Sequence, residues 1–147
     1  KEGGGLSIGF NIVLPHEQRP NPYLDISHTF NHFYARNVCF VRPSECFVIC
    51  PGGFGTLDEL FEALTLIQTG KVKHFPVILF GTAYWGGLVS WLNDTVVKQG
   101  KVSPKDLELF QVTDDPHVAA SIVIRAREER PEIPVRGDGA DFQYPDQ

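Results

Sequence analysis

The stretch Pro51-Gly52-Gly53-Phe54-Gly55-Thr56-Leu57-Asp58-Glu59 gathers residue types that bind and act on phosphate-bearing molecules: three glycines, a hydroxyl and two adjacent carboxylates. Glycines admit positive φ and let an anion approach the backbone without Cβ interference. The free N–H groups and positive dipole end of a following helix face the same point. Gly52, Gly53, Gly55 and Thr56 are therefore a candidate phosphate cradle, with Asp58 and Glu59 beside it. The same residues also have a purely structural reading. Thr56-x-x-Glu59 is a capping box, in which two side chains satisfy orphan N–H groups at a helix start and the acids are ordinary first-turn residues. Location favours a site, because ligands of open α/β sheets bind outside the carboxyl ends of strands, and this turn leaves such an end.

The elements that must position the turn follow from apolar runs of strand length alternating with longer amphipathic stretches, the pattern of βα units and a parallel sheet. Strands are expected at Leu6–Leu14, Cys46–Cys50, Pro76–Phe80 and Leu109–Val112. Helices are expected at Ser27–Arg42, where Phe30, Phe33, Val38 and Val41 share a face, and at Leu57–Ile67, where Leu57, Leu60, Phe61, Leu64 and Ile67 do. Trp85–Gln99, stopped by Gly100, and Pro116–Arg127, opened by Asp114-Asp115, complete the set. Residues 15–25, with three prolines, read as a loop. Gly3-Gly4-Gly5 precedes a strand rather than following one, so a helix-to-strand turn is expected there instead of a phosphate loop.

With 147 residues, 42% of them hydrophobic, the chain is neither disordered nor marginal in core size, and no apolar run approaches the ~20 residues of a membrane span. Its net charge of −5 is concentrated at the end, where six acids against Arg130 and Arg136 leave −4 from residue 128 onward. A body near −1 has no electrostatic footprint for nucleic acid, so any phosphate must be held locally. Residues 128–147 read as an acidic, flexible tail on a domain of residues 1–127. Cys39, Cys46 and Cys50 lack metal-type spacing and point to a reduced, cytoplasmic protein, with Cys46 and Cys50, which flank Phe47-Val48-Ile49, expected to be buried, inert thiols. His28 and His32 could share a helix face as metal ligands would, yet no third ligand is evident, and a structural role is preferred. Trp85 and Trp91 are expected to anchor packing.

Pro51–Glu59 is similar to the P-G-G-x-G-T-x-x-E motif of the LOG (Lonely Guy) family, phosphoribohydrolases often labelled lysine decarboxylases. Arg36-Asn37-Val38-Cys39-Phe40, fifteen residues before Pro51, resembles that family's arginine motif. The likeness runs from about Gly3 to Ile124 and includes Phe61-Glu62-Ala63-Leu64-Thr65 and Tyr84-Trp85-Gly86-Gly87-Leu88. It implies a Rossmann-like doubly wound parallel sheet and cleavage of the N-glycosidic bond of a nucleoside 5′-monophosphate, AMP or a cytokinin riboside monophosphate, to free base and ribose 5-phosphate. It also implies Arg36 and Glu59 as catalytic residues, and substrate binding by Asn37, by Gly52 through Asp58 with Phe54 and Leu57 included, and by Thr65. Glu62 could line the same face or face solvent. No cofactor or metal is implied.

The sequence departs from the family pattern twice. Asn37 stands where a lysine is usual, which removes a cation from the site. The family's upstream βα portion has no counterpart before Gly3. With no Met and Lys at position 1, the chain reads as the C-terminal portion of a larger domain, inactive alone and exposing an apolar sheet edge unless an N-terminal segment or second chain completes the sheet. The resemblance also implies a homodimer, for which Phe30, Phe33 and Phe61 are candidate contacts. A rival reading is a nucleotide- or molybdenum-cofactor-binding carrier of the same fold without catalysis. A decarboxylase would need a pyridoxal-phosphate lysine, and Lys71, Lys73, Lys98, Lys101 and Lys105 have no supporting context.

Overall fold

The computed structural model describes residues 2–15, 19–72 and 75–129. Among the described residues there are five strands, all paired in parallel; the first two follow one another without a helix, and from the first helix onward helices alternate with strands. β1 (Ile8–Ile12) pairs with β2 (Ile26–Phe30), and β3 (Phe47–Ile49), β4 (Val77–Phe80) and β5 (Phe110–Thr113) form a second sheet in that order. The helices are α1 (Phe33–Val41), α2 (Phe54–Gln68), α3 (Thr82–Trp91) and α4 (Pro116–Glu128). This is the expected α/β class, delivered as two small parallel sheets.

The core lies on the three-stranded sheet. Val77, Ile78 and Leu79 of central β4 are almost wholly buried, because helices cover both faces of a parallel sheet and leave no polar side to alternate with. Leu60 and Ala63 of α2 pack there with Trp85 of α3, whose indole N–H donates to the Phe80 carbonyl at 3.1 Å. Phe47 and Phe75 meet edge to face at 4.9 Å. α3 continues into a π-helical turn at Leu92–Val97, and a 3-10 turn at Pro104–Leu109 leads into β5.

Several sequence expectations need correction. Ser27–Arg42 is not one helix: Ile26–Phe30 is a strand in parallel register with β1, and helix begins only at Phe33. Phe30 falls at helical spacing from Phe33, but its ring packs edge to face on Phe10 of the neighbouring strand. His28 and His32 therefore share no helix face, since His28 lies in β2 and His32 is the N-cap of α1. α2 begins at Phe54 with Gly53 as N-cap, so Thr56 and Glu59 form no capping box. The box occurs instead at Ser103 and Asp106, ahead of β5.

Cys39 and Cys46 are only half-buried and Cys50 is exposed, so the expected burial of Cys46 and Cys50 does not hold. Trp85 anchors the core as expected, whereas Trp91 is 53% exposed. Gly3–Gly5 are exposed ahead of β1, with no helix before them among the described residues. The expected tail lies outside the described residues from 130 onward, and Glu128 itself still belongs to α4.

Candidate functional site

β3 ends at Ile49, Cys50 and Pro51 follow, and Gly52 and Gly53 turn the chain into α2. Gly53 is extended at φ −91° and no side chain caps the helix; the Thr56 N–H turns back to the Gly53 carbonyl at 3.0 Å, and the N–H groups ahead of it receive no side-chain cap. Gly52 has no room for a side chain: a Cβ there would stand 2.2 Å from Thr56 Oγ1 and 2.9 Å from Thr56 Cβ. The threonine hydroxyl thus lies directly against the glycine turn, the placement the cradle reading requires.

Arg36, in the first turn of α1, crosses to this turn. Its Nε donates to the Phe10 carbonyl of β1 at 3.2 Å and its Nη1 to Glu59 Oε1 of α2 at 3.0 Å. The guanidinium also stacks over the Phe40 ring, 4.7 Å from its centroid. Both charged side chains are largely shielded, at 20% exposure for Arg36 and 15% for Glu59. One residue along on each helix, Asn37 Nδ2 donates to Asp58 Oδ2 at 3.3 Å. Two parallel polar contacts therefore join α1 to α2.

The two contacts leave specific groups unsatisfied. Glu59 Oε2 and Asn37 Oδ1 are buried without a hydrogen-bond partner. Burial pushes the Glu59 carboxyl above its ordinary value; Asp58 and Glu62 push the same way, and the Arg36 charge only partly opposes them. A shielded carboxylate with a raised pKa and a free oxygen is equipped for proton transfer or for stabilising a developing positive charge.

A cavity of about 470 Å³ opens at this place, lined by Arg36, Phe40, Pro51, Gly53, Thr56 and Glu59 together with residues of β3 and Cys50. It runs along β3 from Phe47 to Ile49 and reaches the carboxyl end of that strand, where open α/β sheets bind ligands. Another cavity, of about 410 Å³, sits at the opposite strand ends, beside Phe75–Val77 and Leu109, and holds none of the motif residues. No group of three or more potential metal ligands occurs among the described residues.

Of the residues singled out in the sequence, Arg36, Gly53, Gly55, Thr56 and Glu59 line the cavity, with Gly52 pressed against Thr56 and Asn37 and Asp58 at its flank. Three others stand apart. Phe54 points to solvent at 92% exposure, and Leu57 packs on the core. Thr65 borders a different, apolar cavity of about 100 Å³ with Phe61, Leu92 and Phe110, and its hydroxyl donates to the Phe61 carbonyl. Sequence reasoning missed the Phe10 carbonyl, Cys50 as a lining residue, and Tyr84, whose hydroxyl donates to the Gly52 carbonyl. The first and last of these contacts join residues 26 and 32 positions apart, beyond the reach of any local pattern.

Comparison with known proteins places the chain in a family. The family described as possible lysine decarboxylase matches residues 1–123. A probable cytokinin riboside 5′-monophosphate phosphoribohydrolase of Oryza sativa subsp. japonica is 34% identical over 105 residues, which are 69% of this chain and 42% of that protein. The cytokinin riboside 5′-monophosphate phosphoribohydrolase of Mycobacterium tuberculosis is 39% identical over 72 residues, 49% of this chain and 38% of that protein. A bifunctional cytokinin biosynthesis protein of Fusarium pseudograminearum is 32% identical over 111 residues, 76% of this chain and 22% of that protein. The chain thus spans less than half the length of these relatives. With residues 1–123 of its 147 matched, the chain belongs to the possible lysine decarboxylase family, the LOG family of its arginine and glycine motifs.

Proposed function

We propose that the protein hydrolyses the N-glycosidic bond of a nucleoside 5′-monophosphate, AMP or a cytokinin riboside monophosphate, releasing free base and ribose 5-phosphate. The observation that carries the proposal is the Arg36–Glu59 pair beside the uncapped glycine turn, with Glu59 Oε2 buried and unpartnered. The 5′-phosphate is received by the N–H groups at the start of α2 and by the Thr56 hydroxyl, with Gly52, Gly53 and Gly55 leaving the approach open. Cleavage builds oxocarbenium character at the ribose carbon. Glu59 stabilises that charge and orients or deprotonates the attacking water. Asp58, steadied by Asn37, binds ribose hydroxyls. Arg36 holds Glu59 in place and presents its remaining donors to the phosphate or the departing base.

The relatives support this reading through their names, and the chemistry of the cavity supports it independently. Among the described residues no lysine lines the cavity, so a Schiff-base decarboxylase draws no support from them. We further propose a cytoplasmic protein, consistent with three free cysteines, and a homodimer contacting through α1, where Phe33, Tyr34 and Val38 are exposed. Phe30 is spent on Phe10 and is withdrawn from that contact set.

The test is release of free base from AMP and from a cytokinin riboside monophosphate, followed by chromatography. Glu59→Gln should lower kcat by about 10²–10⁴-fold, the usual loss when a general base is removed. Base release unchanged in both Glu59→Gln and Arg36→Ala would sink the assignment. Nucleotide binding by the wild type with no product would mark a carrier instead.

A further inference from the structure

Tyr84 lies outside the motifs that build the site, yet it touches the glycine turn directly. Its hydroxyl donates to the Gly52 carbonyl. The ring is 51% exposed and is braced from one side. It stands edge to face on Trp85, 4.9 Å between centroids, and Trp85 is itself buried at 1% exposure and tied to the Phe80 carbonyl. The Tyr84 backbone N–H meets the Gly81 carbonyl at 3.1 Å, so the first turn of α3 fixes where the hydroxyl points.

The β4–α3 turn is also pressed against the β3–α2 turn. Gly81 has φ +110°, a conformation that favours glycine, and a Cβ there would stand 3.4 Å from Pro51 Cγ. The Thr82 hydroxyl and N–H in turn bond to Asp114 at the end of β5. A rigid unit built on three strand ends therefore holds the Gly52 carbonyl by one hydroxyl.

The consequence follows from peptide geometry. In a trans peptide the C=O of one residue and the N–H of the next point in opposite directions across a single plane. No cis peptide occurs among the described residues. A hydroxyl that grips the Gly52 carbonyl on the α3 side thus aims the Gly53 N–H away from α3. Gly53 borders the 470 Å³ cavity, and its N–H is one of the groups the cradle would use.

We propose that Tyr84 is a positioning residue of the anion cradle: through Gly52 it sets the peptide plane that aims the Gly53 N–H at the 5′-phosphate. This rests on the proposal above that the glycine turn receives that phosphate. Without the hydroxyl, two glycines in sequence are free to rotate the plane, and the donor is lost to the ligand for part of the time. The ribose and base, held elsewhere in the cavity, do not depend on it.

The experiment compares wild type and Tyr84→Phe, which keeps the ring on Trp85 and removes only the hydroxyl. Calorimetry measures Kd for AMP and for adenosine, and base release is followed in parallel. Loss of one oriented hydrogen bond should raise the Kd and KM for AMP by about fivefold, with kcat, Tm and adenosine affinity unchanged. That selective loss supports the proposal even if the wild type binds AMP without cleaving it, a result that would remove the hydrolase reading alone. Equal AMP affinity in the two proteins, or equal losses for AMP and adenosine, would overturn the positioning role. A wild type that binds no AMP would overturn both the role and the phosphate reading.

Discussion

The Glu59 carboxyl carries two opposed demands, burial that favours the protonated form and an Arg36 partner that favours the charged one, and burial is the larger. Between its ordinary value and its raised folded value, the folded protein binds more protons at this site than the unfolded chain does. Stability therefore falls as pH rises through that window and levels off above it. Thermal unfolding across that window should show this decline in the wild type, and Glu59→Gln should flatten it; an identical slope in the variant would mean the group titrates normally. Base release should rise with pH through the same interval if the ionised carboxylate is the working form. The cysteines offer a second residue-scale check. Cys50 is exposed at the cavity wall, whereas burial raises the Cys46 thiol and keeps its thiolate scarce. Iodoacetamide labelling followed by mass spectrometry should modify Cys50 before Cys46, and AMP should slow labelling at Cys50. Labelling that AMP leaves unchanged would place the nucleotide elsewhere.

The glycine turn and the start of α2 work as one element, because Thr56 occupies the space that a side chain on Gly52 would need. Thr is stiff at χ1, and its Cβ as well as its hydroxyl stands in the way. Gly52→Ala should therefore cost about 1–3 kcal/mol in stability, as overpacked sites do. Combining it with Thr56→Ala should recover part of that loss, and simple additivity in denaturant titrations would show that the clash is absorbed elsewhere. The turn also shows what the sequence could convey. Strand, glycines and helix were legible because each leaves a local signature, and Arg36 and Glu59 could be singled out through two recognisable motifs, but their ion pair could not. The exact helix start was not: Thr56-x-x-Glu59 satisfies the local rule for a cap, but Glu59 turns to Arg36 of α1, and the helix opens at Phe54 from an uncapped glycine. β2 was hidden for a similar reason. Ile26–Phe30 pairs with a strand eighteen positions earlier, while Phe30 and Phe33 happen to fall at helical spacing. Tyr84 stands in the sequence only as part of the Tyr84–Leu88 likeness, and its contact with Gly52 left no signal, since it reaches across two βα units.

At the scale of the molecule, the chain divides its stabilising resources unevenly. Every buried hydrophobic residue from Ile49 to Ala119 belongs to the three-stranded sheet and the elements packed on it. Among the described residues before Ile49 the one buried side chain is polar, Asn37. β1 and β2 keep Ile8 and Ile26 half-exposed and rely on their mutual ladder and the Phe10, Phe30 and Phe40 rings. Regions with little buried apolar surface open at lower free energy than the core they adjoin. Amide exchange should therefore be fastest in β1, β2 and α1, and slowest in β4 and the facing turns of α2. The Arg36–Glu59 and Asn37–Asp58 contacts tie these two regions together, and both lie at the cavity or its flank. A ligand that binds there touches both parts and stabilises the state in which they are docked. Saturating AMP should then slow exchange in β1 and β2 as well as at the glycine turn, and Arg36→Ala should abolish the distant part of that protection. Protection confined to residues 51–59 would show that the nucleotide engages the turn without drawing the N-terminal strands to it.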